Sequence, residues 1–185
     1  MGRKGWPGAG AAFNPASLPA YLPQWIPAGA WVPLSTNTYK GTTDLEYTGA
    51  NNIVFNSLRF DLGTSDQWHF VTLPPLNWTT GKITFIPHYI VHDSLGTPQN
   101  MVFELGAEFI QDGFLPDAST AFQTITSTKI AGVSTVPQYI IGTESAELTL
   151  TGSPADTGAI ALRMKRGSDS ESDPLYFTGV KLLFV

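Results

Sequence analysis

KITFIPHYIV, residues 82–91, decides the fold class. Ile83, Phe85, Tyr89 and Val91 fall on one parity and Lys82, Thr84 and His88 on the other, the two-residue period of a half-buried strand. MVFELGAEFI, residues 101–110, repeats the device, with Met101, Phe103, Leu105 and Phe109 opposite Glu104 and Glu108. Nearer the C-terminus Ala146, Leu148 and Leu150 oppose Glu147, Thr149 and Thr151, and Ile160, Leu162 and Met164 oppose Arg163 and Lys165. YFTGVKLLFV, residues 176–185, reads as a terminal strand with Tyr176, Val180, Leu182 and Phe184 on one face. Runs at 52–60 and 67–73 and a Thr-rich stretch at 120–130 bring the total to about eight strands, punctuated by Gly, Pro, Asn, Asp and Ser. No apolar stripe of helical period appears. The expectation is an all-β, antiparallel β-sandwich of jelly-roll type.

The sequence before residue 44 has a different character. Residues 1–43 hold Pro7, Pro15, Pro19, Pro23, Pro27 and Pro33, a density that opposes long helices and central strands. Their only charges are Arg3, Lys4 and Lys40, whereas the whole chain carries −5. The segment reads as an extended arm, 1–43, attached to a sandwich domain, 44–185. A disordered tail lacks large apolar groups, yet Trp6, Phe13, Tyr21, Trp25 and Trp31 recur along this one. These side chains are candidate assembly anchors, with two destinations open: the arm's own body or another subunit.

Composition bounds the function. Of 185 residues only 14% are charged, against roughly 25% in soluble domains. With 11 Phe, 6 Tyr and 5 Trp, the pattern matches surfaces covered by neighbouring subunits, whose centres are poor in charge and rich in aromatics. The absence of cysteine excludes disulfides and thiolate metal sites. The first residues supply Gly, Pro and Ala where a secretory apolar region would lie. No apolar run is long enough for a spanning helix, so no membrane role is expected. An acidic body disfavours nucleic acid as a partner.

Two stretches carry a resemblance: LPPLNWTTGKITFIPHYI at 73–90, and GAIALRMKRGSDSESDPLYFTGVKLLFV at 158–185. A Leu-Pro and a Trp precede a Gly-led strand; later an ILRMKR-like strand runs into an acidic loop and a Gly-containing final strand. In this order the chain resembles bacteriophage virion structural proteins of the single jelly-roll type, which decorate heads or form head fibres and tail appendages. The resemblance implies a homotrimer bound to the major capsid protein or other virion subunits, on the capsid exterior, without catalysis or cofactor. The alternative is a carbohydrate- or receptor-binding module of a tail appendage, with glycan as partner.

The remaining candidates for chemistry are thin. His88 and His92 lie about 13 Å apart along a strand, too far to share an ion. Glu104 and Glu108 are separated equally, outside the window for a glycosidase pair. Asp169, Glu171 and Asp173 alternate like a calcium loop, but the sixth and twelfth positions counted from Asp169 are Pro174 and Val180, which excludes an EF-hand. A structural calcium there is the alternative to a solvated turn. Arg163, Lys165 and Arg166 form the one basic cluster of the body, beside acids that would neutralise it. There is no nucleophile elbow, Walker loop or dinucleotide fingerprint, so no residue is assigned to catalysis. Trp68 and Trp78 could stack on sugars in a binding module, though such tryptophans are more often core.

Overall fold

The computed structural model describes residues 21–34, 43–46, 54–61, 66–92, 98–112, 122–132, 137–151, 158–168 and 173–185. They contain strands β1 (Gln24–Pro27), β2 (Val32–Pro33), β3 (Thr43–Glu46), β4 (Val54–Phe60), β5 (Gln67–Thr72) and β6 (Lys82–Val91). Then follow β7 (Gln99–Ile110), β8 (Gln123–Ala131), β9 (Gln138–Ile141), β10 (Leu148–Thr149), β11 (Ala159–Arg166) and β12 (Leu175–Phe184). A 3-10 turn spans Ala28–Ala30. No helix among the described residues is long and apolar enough to cross a membrane.

The pairings define the topology. In one sheet β6 lies between β9 and β12, and β12 lies between β6 and β4; in the other the order is β5, β11, β7, β8. Successive long strands alternate between sheets except at the β7–β8 hairpin. Two four-stranded sheets wound in this way are a jelly roll. All pairs are antiparallel. The short strands β1, β2, β3 and β10 extend the sheets, which raises the count above the eight expected.

The predicted inward residues of β6 and β7 all lie in the core. Around Phe103 the rings of Phe60 (5.7 Å), Tyr89 (5.0 Å) and Phe177 (5.7 Å) join the two sheets. Arg166 also points inward, buried, and its Nη1 donates to Phe60 O across the sandwich (3.2 Å) and to Asp173 O (2.8 Å). The expected basic cluster is therefore divided by the strand period. Lys165, on the outer face of β11, pairs with Glu104 of β7 (2.8 Å), and Arg163 lies over the ring of Phe122 (4.6 Å).

Three details of strand parity differ from the sequence reading. In β12 the register shifts between Phe177 and Gly179, so Thr178 is an extra residue that reverses the alternation. Leu175 and Phe177 face the core on one side of this bulge and Val180, Leu182 and Phe184 on the other, while Tyr176 faces outward. The Thr178 hydroxyl donates to His88 O (3.0 Å). Residues 146–151 form only the short β10. Ser145, not Ala146, is buried there, and its Oγ accepts the Phe85 N–H (3.1 Å), replacing a backbone ladder bond.

Residues 138–141, missed as a strand, pair with β6 up to His88. The ladder stops there because Pro87 has no N–H: Gly142 N donates to Pro87 O (2.8 Å), and the reciprocal bond cannot form. A side chain at Gly142 would not fit, since its Cβ would stand 2.6 Å from Pro87 Cγ.

The arm reading is corrected for residues 21–34. β1 pairs with β12 in the first sheet and β2 with β5 in the second, so this segment crosses from one sheet to the other. Ile26, Ala28 and Trp31 are in the core. Trp31 packs against Phe70 (5.7 Å) and Phe177 (5.9 Å), one ring from each sheet. The prolines limit these strands to edges and to lengths of four and two residues without preventing them. Trp6 and Phe13 lie outside the described residues.

Candidate functional site

Of the five proposed anchors, Trp31 is core and Tyr21 packs against the core, its hydroxyl donating to Asn77 O (2.9 Å). Trp25 alone of the described three is a large ring left substantially open, at 46% exposure. Trp68 and Trp78, weighed as sugar platforms, are both buried in the core. Asp169 and Glu171 lie outside the described residues, and Asp173 uses its carbonyl to accept from Arg166. Among the described residues no three His, Asp or Glu side chains gather as a metal set. His88 and His92 have separate neighbours, Tyr139 and Trp25 for the first and Tyr176 for the second.

Two surfaces stand out instead. The first is an edge of the sandwich. Leu22, Leu73 and Leu76 are 81%, 72% and 75% exposed, and Val32 and Val71 are also exposed. The edge is assembled by contacts between two segments. Val32 lies across from His69 in the β2–β5 pair, Gln24 exchanges hydrogen bonds with Thr72, and Tyr21 reaches Asn77. Residues 21–34 and 70–80 contain no charged side chain. Single exposed leucines are ordinary, but five exposed apolar side chains on two segments joined by these contacts, with no charge on either, match the composition of a covered surface.

The second surface is the outer face of the sheet holding β6. His88 projects there between Trp25 of β1 (ring centroids 4.9 Å) and Tyr139 of β9 (5.8 Å), and its Nδ1 is 2.8 Å from the Tyr139 hydroxyl. β4 pairs with β12 only over Leu58–Phe60, and beyond that its Phe55 stacks on Tyr139 (5.6 Å). Four rings thus form a row across the face. Lys181 lies across from Trp25 on one side and Ile86 on the other. Burial, and then the Lys181 charge, hold the His88 imidazole below its usual 6.5. In the neutral ring one nitrogen donates and the other accepts.

Sequence reasoning singled out Trp25 without settling its neighbours, and missed Tyr139 because QYII is too short to show a period. Burial also lowers His69 on the opposite sheet, with Arg163 adding to the effect.

No family model matches this chain, and no curated protein matches it. Among solved structures, one of the Clostridium thermocellum N-terminal endo-1,4-beta-D-xylanase 10B, comprising its CBM22-1 and GH10 modules complexed with xylohexaose, is similar at 16% identity and a TM-score of 0.45. The match covers 85% of this chain and 26% of that one, so the chain spans about a quarter of its length. At this similarity the xylohexaose describes that protein alone.

Proposed function

We propose that the chain is a non-enzymatic structural subunit of a phage virion, a head-decoration or head-fibre protein that works as a homotrimer on the capsid exterior. The uncharged edge formed by Leu22, Val32, Val71, Leu73 and Leu76 carries this reading. An apolar surface of this kind stays soluble by being covered, and a closed ring of identical subunits covers it without leaving an open end. The virion setting comes from the resemblance of residues 73–90 and 158–185. Those stretches include β6, β11 and β12, two of which pair with each other.

Attachment to the major capsid protein or another virion subunit falls to residues 1–20, with Trp6 and Phe13, because residues 21–34 are already used by the fold. Linked weak anchors gain avidity over any one of them, and the trimer multiplies that gain. The test is cosedimentation with emptied phage heads and, separately, with isolated tails. The full chain should bind heads, and a chain beginning at Tyr21 should stay trimeric and lose binding. Association with neither particle would remove the virion reading.

A further inference from the structure

We propose that Trp25, His88 and Tyr139 form a saccharide-binding platform, in which a pyranose ring lies on the Trp25 indole and hydrogen-bonds to the His88–Tyr139 pair. The proposal concerns a face distinct from the uncharged edge and does not depend on the assembly reading.

Three observations support it. The indole is held in place: a Cβ on Gly179 would stand 2.5 Å from Trp25 Cζ2 and 2.7 Å from Cη2, so the ring lies against bare backbone. The His88 ring meets it at 82°. Trp25 as a residue remains 46% exposed, so it is a fixed aromatic residue, open without being loose. Fixing a binding group in advance reduces the entropy lost on association.

The surrounding chemistry is mixed in the way a sugar ring requires. A pyranose presents axial C–H groups on its face, which suit the electron-rich face of an aromatic ring, and hydroxyls around its rim. Trp25 and the exposed Ile141, which lies across from His88, supply the apolar floor. The Tyr139 hydroxyl, the second nitrogen of His88 and the Lys181 ammonium supply the rim. Tyr139 is 40% exposed, with its hydroxyl already oriented by His88. Lys181 has no ion pair among the described residues, which leaves it available to a hydroxyl or a uronic carboxylate. A nucleic-acid base would also stack on an indole, but a chain of net charge −5 repels its phosphates.

The test is calorimetric titration of the full chain with cellohexaose, maltohexaose and a galacturonic acid hexamer. Saturable binding of at least one is expected, weakened roughly tenfold or more by Trp25→Ala and largely restored by Trp25→Phe, with melting temperatures compared throughout. Preference for the uronic hexamer, lost in Lys181→Gln, would identify the acidic class; indifference to Lys181 would identify the neutral one. Tyr139→Phe keeps the ring and removes only the oxygen, so it should weaken binding several-fold even if Trp25→Ala fails to fold. No binding of any hexamer at millimolar concentration, or unchanged binding in Trp25→Ala and Tyr139→Phe, would overturn the proposal.

Discussion

The indole of Trp25 rests on Gly179, with 2.5 Å between Trp25 Cζ2 and the place a Cβ at 179 would occupy. A methyl group there cannot be accommodated without moving β1, because Ile26 O stands 2.8 Å from the same point. Gly179→Ala is therefore expected to destabilise by about 1–3 kcal/mol, the usual cost of overpacking. Adding Trp25→Ala should return part of that loss and not all, since the Ile26 carbonyl remains. Urea unfolding of the two single variants and the double variant measures the coupling; strict additivity would show that the ring is not held there.

Trp31→Ala should cost about 3–5 kcal/mol, as for other large-to-small core changes. The ring is 4% exposed and bridges Phe70 and Phe177. An attachment arm independent of the body predicts no change in the unfolding midpoint. For the same reason a chain beginning at Asp44 should be unstable, having lost Ile26 and Trp31 together.

Much of this fold is legible in the sequence because a two-residue period survives wherever one sheet face is wet. In β6, Ile83, Phe85, Tyr89 and Val91 all point where the alternation puts them, although Thr84 and Ile90 of the opposite parity are buried as well. The reading fails where a local event breaks the period. Thr178 in the β12 bulge reverses parity without altering composition, and Ser145 substitutes a hydroxyl for a backbone bond. The proline-rich segment misleads for a different reason: prolines oppose central strands, whereas residues 24–33 need only edges. The ring row is illegible because Trp25, Phe55, His88 and Tyr139 come from four strands distant in sequence.

Arg166 should be intolerant of change. It is buried, and its guanidinium satisfies Phe60 O and Asp173 O. Arg166→Ala removes both of these charge-assisted bonds, an expected loss of about 2–4 kcal/mol. Arg166→Lys should recover little, because one ammonium does not reproduce the fork of a guanidinium. Thermal or urea unfolding checks both; an Arg166→Lys variant of full stability would contradict this bonding.

Stability should fall on mild acidification. His69 and His88 both sit below the ordinary 6.5 in the folded chain, mainly through burial, with Arg163 and Lys181 adding to the effect. The unfolded chain then binds protons first, so stability is full above 6.5 and declines as pH falls from there toward the folded values. The urea midpoint should drop between about pH 7.5 and 5.5, above the range where ordinary carboxylates titrate. A His69→Gln, His88→Gln double variant should flatten that slope; an unchanged slope would assign the effect elsewhere.

The central claim, that the uncharged edge joins copies of this chain, is tested most directly by the molar mass in solution, from light scattering on the full chain across a range of micromolar concentrations. A trimer is predicted, reduced to a monomer by Leu73→Asp with Leu76→Asp while the unfolding midpoint holds. A wild-type chain that stays monomeric at every concentration would contradict the account.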